Sequence, residues 1–429
     1  MAGEVRPAVR ELARVFAVDV QPAGRARADD GARDRTGSAV RLIALLVVVG
    51  AVSWRRGEYF SGSLDPVVVA KAAVSMLALA LAVLLAQSRP RRTVGTGTPW
   101  WLGVLLGCSV VGAVSAGHAV AGGVIAVRVA VVAATAYFLL RAAPATDVLR
   151  SIAWACGITA AVASVTGLRS FVAEGRLAGG VPAIDPNDLA LLAGVAVVVL
   201  AWRVVLGELS ASVIASGVLL LGIVWATGSR TGLLVLLGAM AVMAAYIRRP
   251  RVGLVIGGLG LAAGAVVAVA TTGVLAGFAA RGGDGSSTLD SRFIAWRASL
   301  TWAETTWQQL FGGGLSVKII RVRGQYWDTQ PLDSSWVSLL VQTGVLGLAA
   351  AALWVLWIVR GTRRAPRAPR ILFLGLLIFV VGRSILESGL FDATPALLVL
   401  VAVSLLAEGG TRRRLHDEDD AEQPTPLAG

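Results

Sequence analysis

Five ionisable side chains stand where a bilayer would make them expensive. Lys71 is near one end of the second long apolar run, Arg128 lies inside the fourth, and Arg383 and Glu387 are one helical turn apart in the eleventh. Arg230 occupies the turn Thr227-Gly228-Ser229-Arg230-Thr231-Gly232 between the seventh and eighth runs. Charges at such depth face a bundle interior, a wet cavity or one another, and they mark functional sites by default. Each also has a plainer reading. Lys71 can snorkel to the interface, and Arg383 with Glu387 can be a structural ion pair. Together, however, they are mostly cationic and fall on one side of the alternating pattern described next. That convergence points to a cavity for an anion. Arginine presents a planar fork suited to phosphate oxygens, and the diphosphate of a lipid carrier would lie at this depth. The glycines at Gly282-Gly283 and Gly312-Gly313-Gly314 lack the frame of a nucleotide-binding loop.

Hydropathy defines the elements that must position these groups. Of 429 residues 56% are hydrophobic and only 15% charged, with mean hydropathy +0.74. Twelve apolar runs lie near 39–54, 66–87, 99–117, 120–140, 151–168, 188–206, 211–227, 231–247, 252–278, 335–359, 371–390 and 392–407. They lack the period-two alternation of barrel strands, so the expectation is an all-α, polytopic membrane protein of about twelve transmembrane helices. Residues 1–38 and 408–429 are polar tails around a membrane domain spanning 39–407. Within the first tail, Val5, Val9, Leu12 and Phe16 recur beside Arg6, Arg10 and Arg14, as in a helix on an anionic leaflet or in a plain disordered tail. The charged C-terminal tail from Arg412 reads as disordered.

A net charge of +13 invites a nucleic-acid reading, but the arginines sit in blocks between apolar runs. Arg89, Arg91 and Arg92, then Arg141 and Arg150, Arg203, Arg248, Arg249 and Arg251, and Arg360 to Arg370 occupy alternate connections. The intervening short ones hold few, chiefly Arg55, Arg56, Arg169, Arg176 and Arg230. By the positive-inside rule both termini are cytoplasmic and the suspect charges extracytoplasmic. The Ala, Val, Gly and Arg bias suggests a bacterial source, hence a cytoplasmic (inner) membrane. Cys108 and Cys156 lie in apolar runs and the histidines are only His118 and His416, so neither a disulfide framework nor a metal site is expected. No cofactor is expected either.

One connection is long. Residues 279–334 form an extracytoplasmic loop in which Phe293, Trp296, Leu300, Trp307 and Leu310 recur at helical spacing. The spacing predicts an interfacial amphipathic helix over Ser291–Phe311, ended by Gly312-Gly313-Gly314. A loop of this length in a compact domain is usually functional.

Three segments then resemble a known family. Asp185-Pro186-Asn187-Asp188-Leu189-Ala190 precedes one run and Gly228-Ser229-Arg230-Thr231-Gly232-Leu233 opens another. Ser291-Arg292-Phe293-Ile294-Ala295-Trp296 leads through the glycine triplet to Asp333-Ser334-Ser335-Trp336 and on to Gln342-Thr343-Gly344. In order and spacing, over roughly residues 180–360, the chain resembles the O-antigen ligase/polymerase family. The resemblance implies metal-independent transfer of a glycan from a polyprenyl-diphosphate carrier to a saccharide acceptor outside the cytoplasmic membrane. The arginines matching Arg230 and Arg292 are those expected to hold the diphosphate. Ligases of the family typically carry His-Asn where this sequence has Asp333-Ser334, which leaves polymerase and other acceptors open beside ligase.

The residues support a chemistry of the same kind. A sugar diphosphate has a good leaving group, so fixed cations such as Arg230 and Arg292 can stabilise the charge it develops. The attacking hydroxyl needs a base, for which Asp333 is the first choice and Asp188 and Glu387 are rivals. Asp333 before Ser-Ser and an apolar run also reads as a helix N-cap. Lys71, Arg128, Arg383, Glu387 and Asp188 complete the expected substrate-binding set. A transporter or flippase for lipid-linked glycans is the alternative, although no internal repeat accompanies it.

Overall fold

A computed structural model describes residues 23–55, 66–90, 92–208, 210–246, 285–322, 328–412 and 415. The apolar runs among these residues fold as helices, which satisfy their own backbone groups where lipid cannot. In chain order these are α1 (Ala23–Ala51), α2 (Pro66–Gln87), α3 (Gly97–Ser115), α4 (Ala119–Ala142), α5 (Ala145–Thr166) and the short α6 (Leu168–Glu174). Next come α7 (Pro186–Val205), α8 (Ala211–Ala226) and α9 (Arg230–Ala245). The long connection then holds α10 (Gly285–Leu300), α11 (Thr306–Phe311) and an antiparallel ladder of β1 (Ile319–Arg321) with β2 (Thr329–Pro331), in register Ile320 to Gln330. Finally α12 (Ser335–Arg363), α13 (Arg367–Arg383) and α14 (Pro395–Ala407) return to the bundle.

Among the described residues six helices, α2, α3, α4, α5, α7 and α12, are long and apolar enough to cross a membrane. Thr36–Ala51, α8, α9 and α14 are apolar but shorter. The run at 252–278, the Val5–Phe16 segment and the tail past Leu415 lie outside the described residues.

α14 is the hub. It is apolar on every side, which suits a helix surrounded by protein, and all of Pro395–Ala407 is buried against α3, α4, α5, α12 and α13. Just beyond it, the Glu408 carboxylate accepts hydrogen bonds from the Gly97 and Thr98 amides at 3.0 and 2.7 Å and from the Thr98 hydroxyl at 2.6 Å. This satisfies exposed amides at the start of α3 and places a negative charge at its positive end. At the same end of the bundle Arg150 and Arg203 share Glu208, at 2.5 and 2.8 Å.

Three local features differ from the sequence expectation. The helix expected over Ser291–Phe311 is two helices, because Thr305 and Gln308 form a capping box that restarts the chain after Leu300. The eleventh apolar run ends as a helix at Arg383, not near 390, since the carbonyls of Ser384 and Glu387 turn to meet the Ser335 amide at 3.0 and 3.1 Å. α12, in turn, is interrupted at Gly344 (φ +66°, ψ −170°).

The glycine triplet docks onto that break. The amides of Gly313 and Gly314 donate to the carbonyls of Val341 and Gln342, both at 2.9 Å, while the Gln342 amide nitrogen donates to Val317 O at 2.9 Å. Carbonyls released where the helix breaks are thereby satisfied. A methyl on Gly312 (φ +73°) would collide with the Gln342–Thr343 backbone, and one on Gly344 with the Leu310 carbonyl. Gly312→Ala and Gly344→Ala should each lower stability by about 1–3 kcal/mol or more, combining left-handed strain with overlap. Gly217→Ala, in open space within α8, should be neutral or stabilising. Thermal unfolding of the three purified variants checks this, and a Gly312→Ala protein as stable as wild type would contradict the docking.

Candidate functional site

The site lies at the end of the bundle opposite Glu408 and Glu208. α7 starts there, with Asp185 at its N-cap position and Pro186 preset for the first turn. This exposes Asn187 and Asp188 at the helix entrance. α13 ends beside them. Its last residue, Arg383, is 3% exposed and its terminal nitrogen meets Asp188 Oδ1 at 3.0 Å. The Arg383 Nε is buried with no hydrogen-bond partner among the described residues. Arg383 and Glu387 remain one turn apart, the Glu387 amide donating to Arg383 O at 3.0 Å, and they interact electrostatically, while their closest ionic partners are Asp188 and Arg292.

Glu387 sits in a turn held by Ser335. The Ser335 hydroxyl donates to Glu387 O at 2.8 Å and accepts from the Leu390 amide at 3.0 Å. Trp336 Nε1 reaches the Ser384 hydroxyl at 3.0 Å. So fixed, the Glu387 carboxylate accepts from Asn187 Nδ2 at 2.9 Å and from Arg292 at 3.4 Å. Arg292 also faces Asp333, Nε to Oδ2 3.6 Å.

Arg292 is delivered by α10 through a small core of its own. Ala295 packs with Ile320 of β1, Leu332 after β2, and Val341 of α12. Arg176, from the α6–α7 connection, donates to Thr227 O at 2.8 Å and to Asn187 Oδ1 at 3.0 Å. Arg230 is the exposed first residue of α9, whose N-cap is Ser229. Arg176 lies within electrostatic reach of both Arg230 and Arg292. Arg176 thus links Arg230, at the positive end of α9, with Arg292, a grouping of guanidinium groups suited to phosphate oxygens.

The two carboxylates facing Arg292 differ in access. The Glu387 side chain is 11% exposed and the Asp333 side chain 38%. Burial pushes both above the ordinary carboxylate range, and neighbouring guanidinium groups oppose the shift: Arg292 at Asp333, Arg383 and Arg292 at Glu387. Asp333 is thus a reachable carboxylate with raised basicity, while Glu387 is occupied in holding the arrangement.

Lys71 and Arg128 stand elsewhere. They line an adjoining cavity of about 260 Å³ with Asp188, Asp185, Lys318 and Asp392. Asp188 therefore serves both places. Of the residues expected from sequence, Arg230, Arg292, Asp333 and Glu387 come together, Arg383 and Asp188 form the partition, and Lys71 and Arg128 lie beyond it. Sequence reasoning missed Arg176, Asn187, Lys318 and Asp392. Arg176 carried a signal, as an arginine on the side the positive-inside rule depletes.

This geometry coincides with a family match. Residues 215–352 match the O-antigen ligase family. No curated protein matches the chain. The matched stretch of the O-antigen ligase family carries Arg230, Arg292 and Asp333, whereas Arg176, Asp188, Arg383 and Glu387 lie outside it. It points to a membrane enzyme of glycosyltransferase type in O-antigen-like polysaccharide synthesis.

The helix-cap question at Asp333 has a structural answer. Ser334 is the N-cap of α12, its hydroxyl accepting from the Val337 amide at 3.5 Å, and Asp333 stands one residue ahead. Asp333→Asn, Asp333→Ser and Asp333→Ala should therefore keep wild-type stability to within about 1 kcal/mol, the scale of a half-exposed ion pair. Ser334→Ala should lose about 0.5–2 kcal/mol. Thermal melts of the four proteins check this, and a strongly destabilised Asp333→Ala with intact Ser334→Ala would reverse the assignment.

Proposed function

We propose that this protein transfers or polymerises a glycan from a polyprenyl-diphosphate carrier onto a saccharide acceptor, on the extracytoplasmic face of a bacterial cytoplasmic membrane and without a metal ion. The observation that carries the reading is the grouping of Arg176 with Arg230 and Arg292, the last of which faces the part-exposed Asp333, within and around a stretch matching the O-antigen ligase family. The arginines hold the diphosphate and stabilise the charge that develops as the sugar–oxygen bond breaks. The acceptor hydroxyl attacks the anomeric carbon, its proton passes to the Asp333 carboxylate, and the carrier leaves as the diphosphate. Glu387 positions Arg292 and, through Asn187, Arg176. Orientation is supported by arginine placement: Arg89, Arg92, Arg141, Arg150, Arg203 and Arg360–Arg370 gather at the end away from the site.

In a lipid-linked glycan transfer assay, Arg230→Lys and Arg292→Lys should lose most activity at normal membrane level, because an ammonium cannot reproduce the bidentate fork. Asp333→Asn should reduce turnover by roughly 10²–10⁴-fold while donor binding persists. Since Asp333 acts deprotonated and its folded pKa is raised, wild-type rate should climb with pH across a range above that of an ordinary carboxylate, and chelators should have no effect. An active Asp333→Asn enzyme would sink the base assignment, and transbilayer movement of the lipid-linked glycan with no new glycosidic bond would favour a flippase.

Topology has an independent check, helped by the burial of both native cysteines. Cysteine at the exposed Thr329 should react with an impermeant thiol reagent added outside intact cells, and cysteine at the exposed Arg364 should not. The reverse labelling would put the site on the cytoplasmic side.

A further inference from the structure

The whole chain contains two lysines, Lys71 and Lys318, against thirty-seven arginines. Both line the same cavity of about 260 Å³. In a sequence that uses arginine for nearly every other cation, this placement separates the cavity from the arginine cluster across the Asp188–Arg383 pair. Lys318 is answered by Asp392, Nζ to Oδ1 2.5 Å. Lys71 and Arg128, both half-buried, close no side-chain ion pair or hydrogen bond among the described residues: Asp188 lies within electrostatic reach of Lys71 and Asp392 of Arg128, but these carboxylates are bonded to Arg383 and Lys318. Cations at this cavity wall outnumber the carboxylates there, and two of them share theirs with another cation, which suits one further anionic group.

The rest of the lining says what carries that group. Asp185, Asp188 and Asp392 offer carboxylate oxygens, and Thr394 and Ser388 add hydroxyls. Carboxylates suit the hydroxyls of a polyol and oppose a multiply charged phosphate. The volume suits one sugar ring. A donor carries a single diphosphate, for which the arginine cluster is the better host.

Resting on the transferase reading above, we infer that the Lys71–Arg128 cavity is a subsite for a carboxylate-bearing sugar of the glycan, with the acid between the two cations and the ring hydroxyls on the aspartates. The chain's substrate is then an acidic polysaccharide unit, supplied by donor or acceptor.

Saturation-transfer NMR on the full-length protein in nanodiscs tests this without requiring turnover. Methyl glucuronide should receive saturation and methyl glucoside much less. Lys71→Gln and Arg128→Gln should weaken the glucuronide interaction by about tenfold or more, as expected for loss of a charged hydrogen bond, and Lys71→Arg should retain most of it. In wild type, inorganic pyrophosphate should leave the glucuronide signal in place. Equal signals from glucuronide and glucoside, or displacement by pyrophosphate, would overturn the proposal. These wild-type arms hold even if a variant fails to fold. Farnesyl-diphosphate-linked glucuronate distinguishes the sources. Competition with methyl glucuronide places the acid on the donor, and simultaneous binding places it on the acceptor. Either supports the subsite. Glucuronide binding in a protein without transfer activity would instead count against the transferase reading alone.

Discussion

A guanidinium that is 3% exposed at the end of a membrane helix must be answered, and Arg383 is answered by Asp188. Taking an ion from water costs several kcal/mol even after relaxation, and removing its partner leaves that cost uncompensated. The pair therefore fixes how the end of α13 meets the start of α7. The same two helices are closely packed deeper in the bundle, where the Phe379 ring lies against Gly194 with no room for a side chain. Once Asp188 is fixed, its neighbour Asn187 faces the turn after α13, and its amide bridges Glu387 to Arg176. One buried charge thus determines where the other functional groups can stand.

The long connection is part of this framework. Ser335 at the start of α12 ties the 384–390 turn, and the Gly312-Gly313-Gly314 triplet ties the break in the same helix. Between those anchors the small core around Ala295, Ile320 and Leu332 holds α10 at a defined height. Arg292 arrives at Glu387 and Asp333 for that reason. A connection secured at both ends can hold a cation between helices at a fixed position.

Much of the bundle was legible because hydropathy reports burial directly. The 66–87 run is α2, and the runs at 99–117, 188–206 and 335–359 fall within a few residues of α3, α7 and α12. Arg230, Arg292 and Asp333 were legible as charges in recognisable surroundings. Pairing was not. Helical spacing joined Arg383 to Glu387, and they do interact, but their closest ionic partners, Asp188 and Arg292, come from segments 195 and 95 residues away in the chain. Asp333 likewise read as a cap, since cap composition does not say which of three adjacent polar residues takes the position that Ser334 holds. Arg176 and Asn187 were invisible as a pair because their contact depends on how α6 and α7 meet.

The choice between the two cation types follows from these surroundings. Where a rigid fork must match several oxygens at once, arginine holds its donors in a fixed plane with little entropy left to lose. Arg176 groups with Arg230 and Arg292, and Arg230 stands at the positive end of α9. The neighbouring cavity imposes a different demand. Its lining mixes Lys71, Lys318 and Arg128 with three aspartates, so cations there meet carboxylates of the protein itself, as Lys318 meets Asp392. The Asp188 carboxylate, held by Arg383 and lining the cavity, stands between that cavity and the Asn187–Glu387–Arg292 contacts, and this is the boundary on which the two proposed binding regions rest.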